Sequence, residues 1–527
     1  MKKFISVFIS VYILVSVFAS CSKNEYLNNM SFNYKLTDSV LSLDPQTVKT
    51  VSEKNVVGMI FEGLCRIDNI GNIVPGVAAK WSSNKEHTSY TFRLRKNAQW
   101  SDGTPVTAHD FIYGIKRALD PATKAIGVED LLFIKNAREI YIGEAELDTL
   151  GVTATDNFTL VFQLNSSYAD FPALTAGAKY MPCNESFFNT TEGKYGLDCS
   201  SLLTNGPFTF SSKYSWDNTN GISLTRSNNY HGDDSVSPQY LNLLPSNNTD
   251  ISSKPLEALK TNAVDFISLA KSDIAEATEQ KYNVITLNNS VYGLILNTDN
   301  EYLENTSLRE IYLRSINRED VISRLNESRE EALGIMPKCV KWDGKSFQTP
   351  NDTRYAVQDS EVLNNIPSIL QSLELKNLPS LTILCPDDNE SKNIANSIII
   401  SWNQILSTSF NIEPIPESEY KTRLAKGNYQ AALYNLTAYG TSPATILRQF
   451  SSMASPNILN NPEYDEALAN AEYTRESFLE LENLLLNEYF FYPICYGHTY
   501  FAMSPNVKNI TVTADLNVNF IGAKKQE

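Results

Sequence analysis

A chain of 527 residues is long enough for three or more domain-sized cores, and its 42% hydrophobic content is that of a globular protein. A net charge of −16 with no polybasic run repels phosphate backbones, so nucleic acid is excluded as a partner and so is an anionic lipid surface held by charge. The 27 Tyr, 24 Phe and 5 Trp are enough to furnish a core and still line a cleft.

The first segment sets the compartment. Met1-Lys2-Lys3 is a positive start, Phe4 to Phe18 is an apolar run too short for an ordinary membrane span, and Ala19-Ser20 are small residues before Cys21. This is the pattern of a lipoprotein leader over residues 1–20, cut before Cys21. The thiol of Cys21 then carries a diacylglycerol, and several acyl chains anchor stably where one would not. Phe18 is bulkier than the Leu usual at its place. Residues 21–31 are polar and Asn-rich and read as a tether. The folded part is therefore expected outside the cytoplasm, periplasmic or at the cell surface.

From Phe32 the chain turns strand-like, and Leu43-Asp44-Pro45 opens a loop into a helix over residues 51–61. Tyr90, Phe92 and Leu94 alternate with Thr91, Arg93 and Arg95, the period of a half-buried strand. Trp100-Ser101-Asp102-Gly103-Thr104-Pro105 is a turn, since Asp and Gly suit a reversal and Pro105 drives Thr104 out of helical angles. Thr107 then caps a helix with Asp110 three residues on. Phe111, Ile112, Ile115, Ala118 and Leu119 share one face of it, and Asp120-Pro121 ends it. Residues 158–164 alternate as another strand, and Asn205-Gly206-Pro207 turns into Phe208-Thr209-Phe210 before a strand over 222–230. A buried-type strand is expected over 291–298 and a helix from Ser307 to about Asp320. Beyond these come a strand over 381–385, a helix over 394–406 carrying Trp402, and a helix, glycine stop and strand through Gly427 to Leu433. Tyr464 to Leu468 reads as helix and Tyr492-Pro493-Ile494 as strand. There are no internal repeats.

The words in these elements are specific. Leu43-Asp44-Pro45, Phe61-Glu62-Gly63-Leu64, Pro75-Gly76-Val77-Ala78 and the 90–121 block strongly resemble the oligopeptide-binding family, the extracytoplasmic solute-binding proteins of peptide and nickel ABC importers. Asn205-Gly206-Pro207-Phe208, the strand ending at Tyr230, Asn297-Thr298, Ser315-Ile316-Asn317-Arg318 and Gly427-Asn428-Tyr429 follow in the family's order. Asn317 stands where the family has Asp, and Asn caps a helix comparably. The resemblance implies an α/β, bilobal periplasmic-binding-protein-like (class II) fold with an extra small domain, three interleaved domains in all. Residues 32–62, 181–287 and 496–527 would form the main lobe, 63–180 the small domain and 288–495 the second lobe. It implies a monomer that closes on an oligopeptide or other small solute in an interlobe cleft and hands it to ABC permease membrane subunits. Main-chain pairing makes such capture indifferent to side chains.

Site residues follow from the same resemblance. Peptide binders of the family place a Trp and an Asp in the segment that here reads Tyr434-Asn435-Leu436-Thr437-Ala438-Tyr439-Gly440, the Asp meeting the peptide's ammonium. Aligned on Pro443, those places hold Leu436 and Tyr439, and no Asp or Glu occurs between Tyr429 and Phe450. Tyr292, Tyr434, Tyr439 and Tyr496 are candidates for lining the cleft, each offering an apolar face and a polar tip. Thr437 and Ser268 match strand positions that contact ligand in the family, and Ser52 and Glu53 at the first helix are further candidates.

Enzyme chemistry finds no footing. GxSxG, HExxH, GxGxxG and phosphate-loop motifs are absent, and the carboxylate pairs Asp233-Asp234 and Asp387-Asp388 sit in polar loop sequence. No catalytic residue, cofactor or metal ligand is expected: the four histidines are scattered and no CxxC occurs. After Cys21 six cysteines remain, of which only Cys183 and Cys199 are close in sequence. They are either a disulfide or small buried hydrophobes. Nickel chelates, haem or sugars are the rival solutes, and a surface interaction lipoprotein that kept the fold without transport is the rival role.

Overall fold

The computed structural model describes residues 30–68, 72–217, 219–232, 236–325, 329–342, 345–348, 363–406, 408–438, 440–452, 454 and 456–526. The leader, Cys21, Tyr439 and the Asp233-Asp234 pair lie outside the described residues. The chain divides into two compact units, one made of the chain up to Leu164, Ala169–Ile285 and Tyr500 onward, the other of Asn165–Tyr168 and Thr286–Thr499.

In the first unit, β1 (Ser31–Lys35) buries Phe32 and Tyr34 by simple alternation. Helix α1 (Val51–Ile60) starts at Thr50, whose hydroxyl accepts from Glu53 N at 3.1 Å while the Glu53 carboxylate accepts from Thr50 N at 3.1 Å. Strands β2 (Ala78–Ser83) and β3 (Ser89–Leu94) precede α2 (Ala108–Leu119), and β4 (Val152–Asp156) and β5 (Thr159–Gln163) follow it. These four strands form an antiparallel sheet in the order β2-β3-β5-β4. The Asp110 carboxylate carries the α2 cap, accepting from Thr107 N at 2.7 Å and from the Thr107 hydroxyl at 2.8 Å. A second sheet takes β6 (Phe208–Phe210), β7 (Gly221–Arg226), β8 (Tyr240–Leu244) and β9 (Phe266–Leu269) in the order β6-β7-β8-β1-β9, with β1 parallel to both neighbours.

Loop 37–50 of this unit is pinned by charge. Arg117 of α2 donates to Asp44 Oδ2 at 2.7 Å and to Gln46 Oε1 at 2.8 Å, with its guanidinium 4.0 Å over the Phe188 ring. Buried Lys179 donates to the carbonyls of Gln46 (2.9 Å) and Val48 (3.3 Å). Gly196, at φ +76°, lies so close to the Asp44 backbone that a Cβ would come within 2.4 Å of it. All six described cysteines are free thiols, so Cys183 takes the buried-hydrophobe alternative, with Arg117 donating to its sulfur at 3.4 Å.

Two long strands cross from one unit into the other: β10 (Asn283–Leu296) and, at the far end of the chain, Phe491–Met503. The second unit continues with α3 (Thr306–Arg314) and α4 (Arg318–Ser323), where one helix is expected. The break falls at Asn317, whose side chain accepts from Asp320 N at 3.0 Å and whose own N–H donates to Ser401 Oγ at 2.8 Å. The hairpin β11 (Lys341–Trp342) and β12 (Lys345–Ser346) leads to β13 (Thr382–Pro386), α5 (Asn389–Ile405), β14 (Asn411–Ile415), α6 (Glu417–Ala425) and β15 (Ala431–Thr437). Helix α7 (Arg475–Asn487) and β16 (Phe491–Met503) complete it. The sheet runs β14-β13-β15-β10-β16. Its core gathers Leu294, Ile383, Ile394, Ile398 and Leu433 around Trp402, whose indole N–H donates to Tyr312 O at 2.8 Å. Asp388 caps α5 by accepting from Ser391 N at 2.9 Å, and Asp387 pairs with Lys392 at 2.8 Å. That carboxylate pair is thereby a helix start and a surface ion pair. No helix among the described residues is long and apolar enough to cross a membrane.

Candidate ligand-binding site

The candidate segment 434–440 leaves the second unit's sheet along β15. One edge of β15 is fully occupied: it runs antiparallel to β10 in the register Ser290↔Thr437, Tyr292↔Asn435 and Gly293↔Tyr434. The other edge is paired with β13 only at Ala431 and Ala432. Ala438 N donates to Asn289 O at 2.8 Å. By the two-residue alternation of an antiparallel ladder, Leu436 and Tyr434 also point their backbone groups at β10, and Leu433, Asn435 and Thr437 point theirs away. The side groups that reach this second edge agree with that alternation. The Tyr420 hydroxyl donates to Leu433 O, and Gln449 Nε2 donates to Thr437 O at 3.0 Å.

Between those two plugs the backbone of Asn435 is bare. Its carbonyl has only a 3.4 Å contact from Thr437 Oγ1, and no strand covers this edge beyond Ala432 among the described residues. A short, solvent-facing strand edge can pair with an extended chain, whose side chains then alternate away from it. Asn435, exposed and absent from the expected residues, is thus the bare backbone position of this candidate segment. No side-chain pattern could have singled it out.

Around that edge the expected residues divide. Tyr434 and Thr437 are half-buried and flank the bare position, whereas Leu436 and Ala438 are fully buried and pack inward. Gly440, half-buried, opens the turn that follows, where Thr441 O accepts from Lys341 N at 2.8 Å. Tyr292 lies across from Asn435 and packs on the core. Its ring needs the missing side chain of Gly497, where a Cβ would sit 3.0 Å from the ring and 2.2 Å from Ser290 Oγ. Burial pushes the Tyr292 hydroxyl pKa upward, Glu390 adds to the shift, and Arg329, ion-paired with Glu390, opposes it. Tyr496 of β16 is buried. Its hydroxyl donates to Gln348 Oε1, Lys338 lies 4.9 Å over its ring, and burial pushes its pKa up to about 12.

Ser268 and Ser52 belong to the first unit. Ser268 is exposed on β9, opposite Phe501 of β16. Ser52 is buried, and its hydroxyl accepts from Thr37 N (3.0 Å) and Asp38 N (2.8 Å). The Glu53 carboxylate accepts from the N–H groups of Leu41 and Lys49 as well as Thr50. Both side chains therefore hold loop 37–50 in place.

Residues 72–457, well over half of the chain, match the sequence profile of the bacterial extracellular solute-binding proteins, family 5. This chain belongs to that family. It is a binding protein and not an enzyme, as its family is. It is 24% identical to the oligopeptide-binding protein OppA of Bacillus subtilis over 99% of both chains. It is 29% identical to the periplasmic murein peptide-binding protein MppA of Escherichia coli, over 83% of this chain and 81% of that one. Among solved structures, Listeria monocytogenes OppA bound to peptide superposes with a TM-score of 0.78 at 21% identity, covering 95% of this chain and 99% of that one. The fold of this solute-binding protein is accordingly the class II periplasmic-binding-protein fold.

Proposed function

We propose that this solute-binding protein captures oligopeptides outside the cytoplasm and delivers them to the membrane subunits of an ABC importer, held to the membrane by lipid on Cys21. The observation that carries the reading is the bare backbone of Asn435 on β15, flanked by half-buried Tyr434, Thr437 and Tyr292. An extended peptide adds there as a strand, and main-chain pairing lets many sequences bind. Relatives named for oligopeptides and murein peptides support the same ligand class.

Native mass spectrometry of protein purified without denaturation tests this. A ladder of bound masses that fragment as peptides is the expected result, and a single defined mass or an empty protein refutes it. For the anchor, the mature chain is expected to begin at an acylated Cys21 and Cys21→Ser to release it into the soluble fraction; an unmodified Cys21 refutes that part. One observation favours a second reading, a different solute or a surface role without transport. From Tyr429 to Phe450 there is no carboxylate to meet a ligand's ammonium. A hydrogen bond to a charged group contributes about 1.5–3 kcal/mol, so its loss weakens a free peptide roughly tenfold or more.

A further inference from the structure

The hairpin β11–β12 sits beside the turn that follows β15, tied to it by the bond from Lys341 N to Thr441 O. It is braced from behind. Fully buried Phe347 donates through its N–H to Val340 O at 3.1 Å, and its carbonyl accepts from Arg475 at 2.9 Å. On this support Trp342 stands only half-buried. Its ring centroid is 5.2 Å from that of Tyr473 and 5.7 Å from that of Phe478 of α7, the latter edge-on at 80°. Tyr473 in turn meets Phe478 at 5.1 Å and 88°, and its hydroxyl lies 3.1 Å from Ser442 Oγ in the same turn. Phe478 is buried, Tyr473 half-buried, and the Trp342 indole N–H has no hydrogen-bond partner among the described residues.

A surface tryptophan held by two rings and two backbone anchors has already lost its rotamer freedom, so a partner stacking on it bears little ordering cost. Its unpaired N–H adds a donor beside the π face, which suits a planar side chain carried next to a peptide carbonyl. On the proposal that peptides add to β15, we infer that Trp342, backed by Tyr473 and Phe478, is a specificity platform taking an aromatic side chain of the bound peptide. The solute class is thereby narrowed from peptides in general to peptides with a Phe, Tyr or Trp at one register position. None of the expected residues includes this cluster, because the hairpin and the loop before α7 lie more than 100 residues apart and only the fold brings them together.

Titration calorimetry on the full mature protein, with pentaalanine and its five single-Phe variants as probes, tests the inference. Wild type is expected to favour Phe over Ala at one position by about three- to tenfold, the range of an aromatic pair. Trp342→Leu is expected to bring that ratio to about one while leaving the pentaalanine affinity unchanged, and Trp342→Phe to retain most of it. Tyr473→Leu, which leaves Trp342 braced by Phe478 alone, is expected to reduce the ratio part-way. A Phe preference that survives Trp342→Leu overturns the platform, and so does a variant that weakens pentaalanine equally, because the residue would then act through the fold. Peptides bound with no preference at any position overturn the platform and leave peptide capture standing. No binding of any probe removes peptide capture and the platform with it.

Discussion

Removing Arg117 while leaving Asp44 tests how the first unit is held together. The Asp44 carboxylate and the Arg117 guanidinium are 6% and 11% exposed, and the pair is bidentate at 2.7 and 3.2 Å. Arg117→Met keeps volume against Phe188 and Tyr195 but strands the carboxylate among apolar rings and backbone. Breaking a buried pair in this way costs about 3–5 kcal/mol. Arg117→Lys keeps the charge but cannot bond both Asp44 oxygens and Gln46 at once, so it loses about 1.5–3 kcal/mol. At roughly 2–4 °C per kcal/mol for large domains, Arg117→Met lowers the melting transition of the first unit by on the order of 10 °C. Differential scanning calorimetry reads this directly, and the transition of the second unit is expected not to move. The double variant Asp44→Leu/Arg117→Met, which leaves neither charge of the pair, is expected to recover most of the loss. A single variant within about 1 kcal/mol of wild type, or a double variant no better than the single, refutes the reasoning.

Burial, reinforced by Lys54, pulls the Lys179 ammonium down to about 8 from 10.5. A lysine with a lowered folded-state pKa costs stability in full below pH 8 and ceases to do so as pH rises toward 10.5. Buried cysteine thiols held up by burial titrate over the same range in both proteins, so urea unfolding is expected to show the stability of wild type relative to Lys179→Met increasing from pH 8 to 10; a difference that does not change with pH refutes the assignment. Asn317→Ala is expected to cost about 1 kcal/mol through loss of the α4 cap, and Asn317→Asp a few tenths, in the same assay. Asn435→Pro removes a backbone N–H that points away from β10, so the fold is expected to persist while calorimetric peptide affinity falls about three- to tenfold. An unfolded variant would mean that the N–H belongs to the ladder, and unchanged affinity that peptides bind elsewhere.

Short-range chemistry carried much of this architecture into plain view in the sequence. The β3 alternation, the Thr107–Asp110 helix start and the Gly427 stop between α6 and β15 each need only neighbours along the chain. What depended on distant partners was not legible. The split between α3 and α4 rests on a bond from Asn317 to Ser401, 84 residues on. At the site, the 434–440 segment was found by its resemblance. Its bare stretch is not legible there, since what leaves Asn435 bare is the point at which β13 stops pairing with β15. The inward turn of Leu436 and Ala438 has the same origin: β15 is covered on one face, and alternation decides which residues meet that cover.

The bare stretch of β15 also bears on how the protein behaves when empty. Unpaired strand edges invite other chains to add to them, and long ones template fibrils. Here the exposure is confined to about one residue, capped at one end by the Tyr420 hydroxyl on Leu433 and at the other by the Gln449 amide on Thr437. On the proposal that a peptide strand adds here, such an edge offers a place for one strand and is too short to recruit a stack of them.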